Sequence, residues 1–124
     1  MVKIDNLSAG LKAQFALYSE DITNQIKDIV REEAKTLKNN IKNDSPARTG
    51  KYAKGWAIKT EENANEIITI VYNKKKPGLT HLLEFGHALK NGGRTKAYPH
   101  ILNNESIAKE KIVERINEVL KKWH

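Results

Sequence analysis

Four residues of this chain have the types and proximity that can do chemistry: His81, Glu84, His87 and His100, within HLLEFGHALKNGGRTKAYPH. Imidazole and carboxylate together can ligate zinc or share a proton, so the group is first weighed as the centre of a metal-dependent hydrolase. On a helix, positions 81, 84 and 87 spread over about 120° of surface, but Gly86 interrupts it where the third ligand must be held. On a strand, 81 and 87 share a face and 84 points to the other. Neither geometry gathers the three without a special turn. The spacing also departs from H-E-x-x-H, whose histidines sit one turn apart. The preferred reading is therefore no metal, no cofactor and no enzyme, with His81 and His87 as polar residues at a strand boundary. Glu84, between Leu83 and Phe85, is expected to be shielded from water, and a shielded carboxylate needs donors or a cation. Arg48, Lys51 and Arg94 are the candidates, in the same subunit or the next. Without cysteine there is no thiolate nucleophile, disulfide or thiolate metal site. Arg48-Thr49-Gly50 is no P-loop either, because it follows a helical pattern and lacks G-x-x-x-x-G-K-[ST]. It reads as a turn.

These residues must be positioned by the elements around them. Leu7, Leu11, Phe15, Tyr18, Ile22, Ile26, Ile29/Val30, Ala34, Leu37 and Ile41 recur by threes and fours, the period of an amphipathic helix. Asp5 or Ser8 can cap its start, and Ser19 before Glu20 and Asp21 has the composition of an internal N-cap. Residues 5–43 therefore read as one helix or as two joined near Tyr18–Ser19. Pro46 lacks an amide hydrogen and pushes Ser45 towards extended backbone, so the helix ends by Asn43 or Asp44. Gly50 supplies the positive φ of a reversal.

Trp56-Ala57-Ile58 and the β-branched run Ile67–Tyr72 read as strands across a polar connection at residues 61–65. Lys74-Lys75-Lys76-Pro77-Gly78 is a charged loop. Residues 80–85 fit a strand or a helical turn, and Gly86 stops either. Asn91-Gly92 predicts an exposed loop or hairpin tip over residues 90–96, and Pro99 fixes the exit. Ile107, Ile112, Ile116, Val119, Leu120 and Trp123 form the apolar stripe of a last helix, with Glu105/Lys109 and Glu118/Lys122 on its outer side. Trp56 and Trp123 are read as core or interface anchors. The fold class is α+β: a long N-terminal helical arm (1–44), a β-rich basic segment with three or four antiparallel strands (45–100), and a C-terminal helix packed on the sheet (101–124). The length suits a single domain. Sheet edges left open invite pairing with another chain.

The net charge of +7 is concentrated in the middle of the chain. Residues 44–100 hold ten cations and five carboxylates, whereas both flanking segments are nearly neutral. Lys74, Lys75, Lys76, Lys90, Arg94 and Lys96 sit in the two predicted loops, where they would attract a polyanion or simply keep the surface solvated. Aromatics are too sparse there for base stacking, so any contact with DNA would be to phosphate and sequence-neutral. The start MVKIDNLSAG lacks the apolar core of a secretory signal, and no run reaches the roughly 18 apolar residues of a membrane span, so the expectation is a soluble cytoplasmic chain.

In order and separation, the turn Pro46, Arg48, Thr49, Gly50, the segment Leu83, Glu84, Phe85, Gly86 and the exit Tyr98, Pro99, His100 resemble the head–tail joining proteins (tail-completion, minor capsid) of long-tailed bacteriophages and prophages. The likeness spans residues 7–123. One departure is Asn103-Asn104, where many relatives have Pro-Ala, which touches only the start of the last helix. The resemblance implies a structural neck protein in an oligomeric ring around the DNA path, completing the tail or joining it to the head. Its implied partners are copies of itself, other neck and tail proteins, and passing double-stranded DNA. Assembly in the host cytoplasm and a final place in the virion neck or tail are implied as well. A free-standing nucleic-acid-binding module is the first alternative, and the hydrolase centred on His81, Glu84 and His87 the second.

Overall fold

A computed structural model of the chain describes residues 7–15, 17–46 and 50–122. The order is β1 (Ala9–Gln14), α1 (Glu20–Asp44), α2 (Lys51–Lys54), β2 (Trp56–Glu62), β3 (Glu66–Asn73), a 3-10 turn (Pro77–Leu79), α3 (Thr80–Phe85) and α4 (Leu102–Lys122). This is the α+β arrangement expected, with a long helix, a three-stranded antiparallel sheet and a C-terminal helix. Arg48, Thr49, Trp123 and the Asp5 cap lie outside the described residues.

One expectation is corrected at the start of the chain. Residues 9–14 are neither the first turns of a single helix nor a short separate helix; they form β1. Ala9, Leu11 and Ala13 are buried and alternate with the more exposed Gly10, Lys12 and Gln14. The apolar step of four from Leu7 to Leu11 to Phe15 is even, so it keeps one face of a strand as well as one face of a helix. Pairing decides between them, because β1 runs antiparallel to the β-branched β3, with Leu11 opposite Thr69 and Ala13 opposite Ile67.

The helix proper starts where Ser19 predicted. Its hydroxyl accepts from the Ile22 amide at 3.3 Å, and Glu20 and Asp21 complement the positive end of the dipole. The stripe Ile26, Ile29, Val30, Ala34, Leu37 and Ile41 is buried on the inner face of the sheet. Before Pro46, Ser45 is extended (φ −71°, ψ 144°), its hydroxyl donates to the Ile41 carbonyl, and it accepts from the Trp56 indole at 2.9 Å. Trp56 is thus a core anchor.

The sheet order is β1-β3-β2, with β2 and β3 joined by the predicted hairpin, where the Asn63 side chain accepts from the Asn65 and Glu66 amides. α4 lies along α1 and meets the sheet at β1, where Glu105 Oε2 accepts the outward Gly10 amide at 2.8 Å. Ala108 and Ile112 face inward on α4, but Ile107, assigned to the same stripe, is 60% exposed. The step of five from Ile107 to Ile112 breaks helical period, and Ala108 takes the inward place. The expected Glu105–Lys109 pair forms at 3.4 Å. Among the described residues no helix is long and apolar enough to cross a membrane.

Candidate functional site

Residues 80–85 resolve as a helical turn, α3, which aims Glu84 into the protein while leaving His81 against Phe85, ring centroids 4.9 Å apart. Glu84 is only 4% exposed. Its Oε1 accepts the backbone amides of His100 and Ile101, both at 2.8 Å, and its Oε2 accepts that of Leu102 at 3.0 Å. These amides lead into the first turn of α4, so a side chain from α3 caps a helix starting sixteen to eighteen residues later. Among the described residues no lysine or arginine takes the place expected of a cationic partner, and Arg48 lies outside them. Lys51 is exposed, and Arg94 reaches the Phe85 carbonyl at 3.5 Å instead. Backbone dipoles suffice here because three aligned N–H donors satisfy a buried carboxylate without a second desolvated charge.

His100 is fully buried beside it. Its Nδ1 lies 2.6 Å from the Tyr98 carbonyl and 3.1 Å from Glu84 Oε1, and its Nε2 lies 2.7 Å from the Tyr52 hydroxyl. A carbonyl can only accept, so Nδ1 carries the proton, and in the neutral ring Nε2 accepts from Tyr52. Tyr52, Trp56 and His100 meet edge-on with centroids 5.6–5.9 Å apart. Burial first, and then the Glu84 charge, raise the Tyr52 hydroxyl well above its ordinary 10.0. A raised folded-state value means this group supports folding fully below about pH 10 and progressively less as pH climbs beyond it. Urea unfolding between about pH 9 and 11 should show wild type losing up to about 1.4 kcal/mol per pH unit more than Tyr52→Phe in the alkaline arm. Parallel curves would refute this.

The other histidines go elsewhere. His87 is exposed, and its Nδ1 meets the Thr95 hydroxyl at 3.1 Å in a small hairpin closed by an Ala88–Arg94 bridge. The structure thus unites Glu84 with His100, leaves His81 half-buried against Phe85 and His87 exposed, and so dissolves the ligand set weighed for a hydrolase. Among the described residues no group of three or more His, Cys, Asp or Glu is placed to hold a metal ion. The hairpin turns at Gly92 (φ +90°), as Asn91-Gly92 predicted, and carries Lys90, Arg94 and Lys96. Leu83 and Tyr98 serve the same brace, with the Tyr98 amide donating to the Leu83 carbonyl at 2.7 Å. Gly86 adopts φ +69°, ψ 177° beneath Thr95.

The second basic loop is held from below by Asn73, which is 2% exposed. Its side-chain oxygen accepts the Lys75 and Lys76 amides at 3.1 and 2.8 Å, and its amide donates to the Tyr52 carbonyl. The Lys74 amide donates to the Gly55 carbonyl, so the loop lies beside the end of α2. Lys51 and Lys54 of that helix are exposed and extend the triple-lysine patch to five cations. Sequence reading did not place Tyr52, Asn73 or Lys54, and it offered Lys51 only as a partner for Glu84. An Asn directly ahead of a polar loop is an Asx-turn signal that points to Asn73; nothing local points to the Tyr52–His100 pair, 48 residues apart.

The site is thus a scaffold: a buried Glu–His–Tyr brace that presents two cationic loops. Residues 9–86 match the model of the HK97-gp10-like family, described as a bacteriophage HK97-gp10 tail component. The chain belongs to that family, and it is a structural phage tail protein. Comparison with curated proteins gave no match, and neither did comparison with solved structures.

Proposed function

We propose that the protein works at the phage neck, completing the tail or joining it to the head as one subunit of a ring through which double-stranded DNA passes. The observation that supports this most is how the motif residues are used. Leu83, Glu84, Gly86, Tyr98 and His100 are spent on internal bracing, and the brace presents Lys51, Lys54, Lys74, Lys75 and Lys76 at one site and Lys90, Arg94 and Lys96 at another. A channel lining needs mild, sequence-neutral attraction to phosphate, without the stacking surfaces that would grip the strand, and the five-lysine site would supply it, leaving the hairpin site to face an adjoining subunit. Partners would be further copies of the chain and the other neck and tail proteins, met in the host cytoplasm during assembly, and no cofactor or bond chemistry is required.

Substituting Lys74, Lys75 and Lys76 by Ala tests this reading. All three are exposed, so the variant should fold with unchanged stability. In a complementation assay, the yield of infectious particles should fall roughly tenfold or more, while the isolated chain binds DNA only weakly before and after. Tight, steeply salt-dependent DNA binding by the wild-type monomer, abolished in the variant, would favour a nucleic-acid-binding module instead.

A further inference from the structure

Sheet edges are poor candidates for joining copies of this chain, because Glu105 occupies the outward Gly10 amide and the end of β2 carries exposed Lys59, Glu61 and Glu62. Two other surfaces complement each other. Although the chain is strongly basic overall, the grooves between α1 and α4 are acidic. They are lined by six carboxylates (Asp28, Glu32, Glu33, Glu110, Glu114 and Glu118) against only three cations. The groove at the start of α4 encloses about 500 Å³ over an apolar floor of Leu37 and Ala108, with Ile107 exposed on its rim. Arg115 neutralises Glu32 and Glu33 from within the chain, whereas Glu110 and Glu114 have no ion pair among the described residues. The hairpin at residues 88–94 is the converse. Lys90, Arg94 and Lys96 have no carboxylate partner among the described residues, and Leu89 and Phe85 are exposed between them.

We infer that the hairpin of one copy docks into the α1–α4 groove of the next, with Leu89 against Ile107 and the hairpin cations facing Glu110 and Glu114. The two patches differ, so the contact is head-to-tail, the kind that closes a ring when its rotation divides a full turn. Opposite potentials select this pairing over hairpin-to-hairpin or groove-to-groove contacts. The inference rests on the oligomeric reading proposed above and names its interface.

The chain has no cysteine, which permits a clean test in the full-length protein. Leu89→Cys and Ile107→Cys variants are prepared separately, mixed at high concentration and oxidised. The mixed disulfide dimer should exceed both homodimers at least fivefold. Two charge reversals are then compared with wild type by sedimentation, Lys90→Glu with Arg94→Glu and Lys96→Glu, and Glu110→Lys with Glu114→Lys. Each set should weaken self-association roughly tenfold, and both sets in one chain should restore it. If wild type associates but the reversals change nothing and the mixed dimer is not enriched, this interface is wrong and the ring reading survives. If the hairpin reversal abolishes salt-sensitive DNA retention while association persists, the hairpin faces DNA and the inference is overturned. A wild type that stays monomeric at millimolar concentration removes the ring reading, and this interface with it.

Discussion

Replacing Glu84 by Ala is expected to lower the unfolding free energy by about 3–5 kcal/mol, a large part of what a small domain possesses. The substitution leaves three amides, those of His100, Ile101 and Leu102, without their acceptor, and two of these residues are fully buried. Each stranded donor costs about 1–3 kcal/mol, partly relieved if water enters. Glu84→Gln keeps one acceptor oxygen but turns an NH2 group towards the remaining amide, so its loss should be roughly half. The measurement is urea unfolding followed by fluorescence of Trp56, which packs edge-on against His100. A loss below about 1 kcal/mol in Glu84→Ala would show that the carboxylate is not what holds the start of α4. The order Ala worse than Gln matters more than either value, because a lost negative charge alone would affect both equally.

Gly86→Ala should cost about 2–4 kcal/mol, and its damage should centre on the hairpin. At φ +69° with ψ 177° the backbone lies in a region open essentially to glycine alone. An added Cβ would also stand 2.6 Å from the Thr95 carbonyl oxygen, which is backbone and cannot swing aside. Relief requires the two hairpin arms to part, breaking the hydrogen bonds from the Thr95 amide to the His87 carbonyl and from the His87 amide to the Thr95 hydroxyl. Amide exchange should therefore accelerate most at residues 87–95, with less change in β3 and α1. Uniform acceleration, or an unchanged midpoint, would contradict this account. If the hairpin is the docking element, the same variant should also associate poorly while its sheet stays folded.

Much of the fold was legible because it is decided locally. Ser19 starts α1, Pro46 stops it, Gly50 and Gly86 take positive φ, and Asn91-Gly92 turns the hairpin. Each acts through its own backbone or through residues within one turn. What escaped depends on distant partners. β1 shares its apolar spacing with a helix, and only the β-branched β3, almost sixty residues on, selects the strand. Glu84 was legible as a shielded carboxylate, but its acceptor role was not, because the donors are main-chain amides that carry no side-chain signal. The acidic character of the α1–α4 surface was hidden for a related reason. Each helix taken alone is close to neutral, and the carboxylates outnumber cations only where the two are laid side by side.

The Glu105 carboxylate on Gly10 bears on how this chain tolerates crowding. A strand with an outward amide already engaged, and with α4 packed beside it, is a poorer template for a foreign strand, whose addition is the first step towards amyloid. Fibre growth is thus disfavoured at that margin.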